Sequence, residues 1–97
     1  MKLCSLNFFQ QLSQLACIEK IIVFGSRARN DAQPRSDIDL ALVCPTASEK
    51  DWLTILGIIE NADTLLKIDA IRFDALGEKN PLKEKIQKEG IVLYAKK

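Results

Sequence analysis

Two aspartates, Asp37 and Asp39, open an apolar run that continues through Leu40, Ala41, Leu42 and Val43. Strand side chains alternate between faces, so carboxylates two residues apart project from the same side of a sheet. Two acids placed this way repel unless a cation sits between them. Hard oxygen ligands of this kind suit Mg²⁺, which typically arrives with phosphates that it also coordinates. Upstream, the apolar run Ile21-Ile22-Val23-Phe24 ends in Gly25-Ser26. Glycine lets the backbone approach a ligand closely. The free N–H groups at the start of the following helix, with the Ser26 hydroxyl, form an anion-binding concavity. Asp69 is the acid at the centre of a further alternating run, Lys67 to Phe73, and is the candidate third carboxylate. Asp74 competes for that role but lies past the predicted strand and reads as a loop residue.

Several elements must carry these groups. Phe8, Leu12, Leu15 and Ala16 fall at helical spacing and predict an amphipathic helix from Ser5, a candidate N-cap, to about Cys17. Ile21 to Phe24 predicts a first strand buried on both faces, delivering Gly25 and Ser26 to its carboxyl end. A short helix over residues 27–32 is broken by Gln33-Pro34. The second strand runs from Asp37 to Val43, with Ile38, Leu40 and Leu42 on one face and Asp37, Asp39 and Ala41 on the other. Because its acids stand at its start, it must run antiparallel to the first strand for both to serve one site.

Ser48 and Asp51 have the spacing of a capping box and open a helix to about Ala62. Its core stripe is Trp52, Ile55, Leu56 and Ile59. Leu53 and Ile58 widen the apolar arc, which predicts either a deeply buried helix or a partner-binding face. Gly57 stands mid-helix at a cost of about 1 kcal/mol relative to alanine, which a close helix contact would explain. After the third strand, Asn80 caps a helix with Pro81 at its first position, Leu82 and Ile86 inward, and Gly90 as its stop. Ile91 to Tyr94 forms a last strand. The fold class expected is α/β, a small mixed sheet flanked by helices in one domain over residues 1–97.

Composition narrows the chemistry. The chain has 97 residues and no histidine. That removes Ser-His-Asp and Cys-His nucleophile systems, His-based zinc sites and imidazole general bases. Proton transfer falls to carboxylates or metal-bound groups. With 14 basic and 13 acidic residues the net charge is +1, which carries no electrostatic footprint for a nucleic-acid binder. Cys4, Cys17 and Cys44 are odd in number and widely spaced, so neither a disulfide framework nor a zinc cluster is expected and a reducing cytoplasm fits best. No stretch reads as a signal peptide or a membrane span.

Gly25-Ser26, ten intervening residues and Asp37-Ile38-Asp39 together resemble the signature of the DNA polymerase beta-like nucleotidyltransferase superfamily. With Gly-Ser-Arg-Ala-Arg and Ser-Asp-Ile-Asp-Leu flanking that spacing, the chain looks like a minimal nucleotidyltransferase (MNT) domain, best known as the MntA-type antitoxin half of HEPN/MNT toxin–antitoxin pairs. Ile68-Asp69-Ala70-Ile71 matches the third acidic position of the family. Asn30 departs from the pattern, standing where relatives commonly have glycine.

The resemblance implies the polymerase beta-like fold and AMP transfer from ATP with Mg²⁺, two ions being expected. Asp37, Asp39 and Asp69 would be the catalytic and metal-binding residues, and Gly25 and Ser26 the nucleotide-binding pair. Arg27, Arg29 and Arg35 surround the turn and could neutralise triphosphate charge or meet an acidic partner. A chain of this size has little left to enclose a small acceptor, so a macromolecular one is expected. The resemblance makes it a tyrosine of a HEPN ribonuclease toxin in a hetero-oligomer. Two alternatives stand beside this reading: a binding subunit that neutralises its partner by occlusion, and a transferase acting on antibiotics or nucleic acids.

Overall fold

The computed structural model describes residues 6–25 and 37–96. Its elements are α1 (Asn7–Ser13), β1 (Lys20–Phe24), β2 (Ile38–Val43), α2 (Glu49–Glu60), β3 (Ile68–Arg72), a 3₁₀ turn at Phe73–Ala75, α3 (Pro81–Glu89) and β4 (Ile91–Ala95). The expected Ser5 cap and the short helix over residues 27–32 lie outside the described residues.

The four strands form one mixed sheet in the order β3-β2-β1-β4. β2 runs antiparallel to β1, the direction that the carboxylate placement demanded. β4 is antiparallel to β1 on its other side, with a bulge at Ile21/Ile22. β3 is parallel to β2, and parallel neighbours need a long crossover, which α2 supplies.

Alternation along β1 and β2 divides the core in two. Ile21, Val23, Ile38, Leu40 and Leu42 pack with Phe8, Phe9 and Leu12 of α1 and with Ile55 of α2. Ile22, Phe24 and Ala41 pack on the opposite face with Ile86 of α3. Both central strands are therefore covered on both sides. Truncating a fully buried side chain such as Leu40 to alanine would cost about 2–5 kcal/mol.

The helices show where local signals sufficed. The α2 capping box forms as read: the Asp51 N–H donates to Ser48 Oγ at 3.1 Å and the Ser48 N–H to Asp51 Oδ2 at 3.0 Å. In α3, Asn80 Oδ1 accepts from the Leu82 N–H at 2.8 Å, ahead of Pro81 in the first turn.

Other expectations need correction. α1 is shorter than the Ser5 to Cys17 span and begins after Leu6, whose side chain cannot cap. Its free N–H groups are met from far along the chain, by the Asp63 carboxylate at 3.1 Å from Asn7 N and 3.3 Å from Phe8 N. At its other end the Ser13 hydroxyl donates back to the Phe9 carbonyl at 2.8 Å. α2 is a one-sided surface helix rather than a deeply buried one: Ile55 alone is fully buried. Trp52, Ile58 and Ile59 pack against the core, whereas Leu56, expected inside, is 38% exposed and Leu53 is 67% exposed. Gly57 touches nothing that a Cβ would meet within 4 Å, so no contact within the described chain explains it. Gly90 does end α3, but in an ordinary extended conformation (φ −68°) rather than a left-handed one. Its need is space: a Cβ there would run into the Ile86 carbonyl oxygen and Cγ2 of Ile22.

Candidate active site

β1 and β2 bring the two ends of the sequence motif together. Phe24 stands opposite Asp39 in the antiparallel register, so Gly25 arrives beside that carboxylate. Gly25 has φ +76°, in the left-handed region that favours glycine, and a Cβ at this position would lie 2.5 Å from Asp39 Oδ2. Glycine is thus required twice over, once for the turn and once for the room that Asp39 occupies.

β3 brings the third acid. In the parallel register Asp39 pairs with Asp69, so the two carboxylates stand side by side on the face that also carries Ala41, Ile71 and the packed helix α3. Asp37 lies just before β2 and is exposed, at the rim of the pair. As placed, no three Asp, Glu or Cys side chains among the described residues are close enough to surround a metal ion. Ser26 and the three arginines near the turn lie outside the described residues.

Among the described residues, the acids of the site outnumber the cations beside them. Partial burial pushes the Asp39 carboxyl above its ordinary range, and the neighbouring carboxylates of Asp69 and then Asp37 push it further. Lys85 of α3 pulls in the other direction. The ammonium of Lys67 lies 3.7 Å from Asp69 Oδ1, but both groups are largely exposed, so that pair adds little. The donor set is all carboxylate oxygen, one of them held close to backbone with no side chain in the way. In donor chemistry it fits Mg²⁺.

Asp74 is otherwise engaged. Its Oδ1 accepts from the Cys44 N–H at 2.9 Å and its Oδ2 from Arg72 Nε at 2.8 Å. Burial alone would raise its pKa, but these two donors outweigh burial and hold it below the ordinary carboxylate value. Arg72 also donates through Nη2 to the carbonyls of Cys44 at 3.0 Å and Ala47 at 2.8 Å. The pair ties the end of β3 to the loop between β2 and α2. It is a clamp on the strand that bears Asp69, and Asp74 takes no place among the site acids.

Lys85 of α3 is not among the residues that the motif singles out. The signal that places it was present: Leu82 and Ile86 point inward, and a residue immediately before Ile86 flanks that stripe on a helix that must return across the sheet.

A mixed sheet with Gly25 at the end of one strand and acids at the start of its antiparallel neighbour, covered by helices, is the architecture of the nucleotidyltransferases. The family model described as polymerase beta, nucleotidyltransferase matches residues 7–97, and the chain belongs to that family. Among solved structures, a toxin–antitoxin crystal structure with AMP-PNP superposes with a TM-score of 0.63 at 17% identity, covering 94% of this chain and 73% of the other. A structure from Sulfolobus solfataricus assigned provisionally as a nucleotidyltransferase gives a TM-score of 0.59 at 19% identity, covering 92% and 75%. At such identities these likenesses show the fold. No curated protein matches the sequence.

Proposed function

We propose that this protein is a Mg²⁺-dependent nucleotidyltransferase that moves AMP from ATP to a macromolecular acceptor, a tyrosine of a cognate HEPN ribonuclease toxin, and so acts as an antitoxin. The observation that carries the reading is the pairing of Asp39 with Asp69, with Gly25 set against Asp39. Family membership supports nucleotidyl transfer. The toxin–antitoxin neighbour with its ATP analogue supports both the nucleotide and the kind of partner. Free Cys17 and Cys44 suit a reducing cytoplasm, and among the described residues no helix is long and apolar enough to cross a membrane.

In this reading each of these residues takes one role. Asp37 and Asp39 would hold the metals, and Asp69 would complete the ligand set on the acceptor side. Gly25 and Ser26 cradle the phosphates. Bound Mg²⁺ supplies charge neutralisation to the triphosphate and to the attacking oxygen. The acceptor hydroxyl oxygen forms a bond to the α-phosphorus, the bond to the pyrophosphate oxygen breaks, and the hydroxyl proton passes to Asp69 or through it to water. β3 is an edge strand, so Asp69 faces approach from solvent by a side chain on a large partner. A phosphodiester on the toxin adds bulk and negative charge, which would block an RNA site.

Occlusion without catalysis is the second reading, favoured by the outward leucines of α2, Leu53 and Leu56. One experiment separates the two. The co-expressed partner is incubated with this protein, ATP and Mg²⁺, and its intact mass is compared with that from an Asp39→Asn/Asp69→Asn variant. Mass steps of one AMP, absent with the variant, are expected. An unmodified partner that the variant still silences would leave occlusion standing.

A further inference from the structure

α3 sits on the acidic face of the sheet. Ile86 packs with Ile22, Phe24 and Ala41, and α3 lies against β1. Relative to Asp39, β1 is on one side and β3, with Asp69, on the other. An acceptor entering beside Asp69 therefore comes from the β3 side. Phosphoryl and nucleotidyl transfers run with the attacking and leaving oxygens roughly in line. The leaving group must then point the opposite way, toward β1 and α3.

Among the described residues, α3 supplies three cations near that face. Lys83 lies 3.8 Å from Glu78 Oε1 and sits over the Phe73 ring at 5.4 Å. Lys88 lies 3.7 Å from Glu84 one turn back. Lys85 makes no ion pair among the described residues, is exposed, and lines a groove of about 280 Å³ along α3 with Pro81, Glu84, Lys88 and Glu89. Two divalent cations would cancel the charge of the triphosphate and leave that of Asp37, Asp39 and Asp69 unbalanced. As the bond to pyrophosphate breaks, more negative charge gathers on the leaving side.

We infer that Lys85 grips the tail of the bound nucleoside triphosphate, its ammonium meeting the β- and γ-phosphate oxygens that depart as pyrophosphate. The inference rests on the nucleotidyltransferase reading and adds to it the residue that recognises the leaving group. Lys85 would thus add to the preference for a triphosphate over a monophosphate.

The test compares the affinities of AMP-PNP and AMP, each with Mg²⁺, for the unaltered protein, Lys85→Gln, Lys85→Met, Lys85→Arg and, at an exposed position of α2, Lys50→Gln by titration calorimetry. Charge-assisted contacts of this type lead us to expect about tenfold weaker AMP-PNP binding in the glutamine and methionine variants. AMP binding should be unchanged, arginine should retain most of the affinity, and Lys50→Gln should behave like the unaltered protein. Unchanged AMP-PNP binding without Lys85, or an equal loss for AMP, would overturn the inference. Failure of the unaltered protein to bind either nucleotide would instead bring down the nucleotidyltransferase reading, and this inference with it.

Discussion

Asp39 carries the strongest internal conflict of any side chain in the site. Burial and two neighbouring carboxylates raise its folded pKa, so the stability linked to its protonated form is complete below the ordinary carboxylate pKa and lost as pH rises through the raised value. At neutral pH the apo protein bears that penalty. Asp69→Asn should therefore raise the thermal midpoint in the absence of metal by roughly 2–4 °C, because a like charge disappears. Addition of Mg²⁺ should raise the midpoint of the unaltered protein and leave the variant nearly unmoved; equal responses would remove Asp69 from the ligand set. Asp63 shows the opposite sign. The Asn7 and Phe8 N–H groups hold its carboxyl below the ordinary value, so its contribution is present above the unfolded pKa and lost as pH falls through the folded one. Asp63→Ala should destabilise the protein at neutral pH in urea titrations, and the gap from the unaltered protein should close as pH falls below the ordinary carboxylate range.

Among the elements, α2 holds the feature with least explanation inside the described chain. Gly57 is in mid-helix with open space around it. Gly57→Ala should stabilise the isolated protein by about 1 kcal/mol, read as a higher urea midpoint with an unchanged slope. If the same variant binds its partner more weakly, the bare backbone there is a contact that a methyl group obstructs. Elements with both a period and a cap were legible in the sequence: α2 from Ser48 and Asp51, α3 from Asn80 and Pro81, β2 from the alternation of Ile38, Leu40 and Leu42. Leu53, Leu56 and Ile58 lie in one apolar arc, and the sequence does not show which edge of that arc meets the sheet. The tertiary packing put Ile58 inside and left Leu56 half out.

At the scale of the whole molecule, strand direction was legible because chemistry constrained it. Gly25 at the end of one strand and Asp37 and Asp39 at the start of another meet only if the strands run opposite ways, and β1 and β2 do. The Asp63 cap on α1 spans more than fifty residues, and no local pattern announces a carboxylate that reaches across the fold. The clamp of Arg72 on Cys44, Ala47 and Asp74 is hidden for the same reason. It keeps the Cys44 thiol in a buried setting that raises its pKa to about 11 and leaves it a poor nucleophile at neutral pH.

The parallel pairing of β3 with β2 has one more consequence. Had β3 slipped along β2 by a single residue, Asp69 would turn toward Phe8, Leu12 and Ile55, and Ile68 or Ala70 would take its place beside Asp39. Such a sheet would have to bury a carboxylate in an apolar layer, which is strongly unfavourable. Misalignment that disarms the site is thus the same event that spoils the core, and the fold acts as its own error check: a chain that has reached a stable sheet has already set its two inner acids side by side.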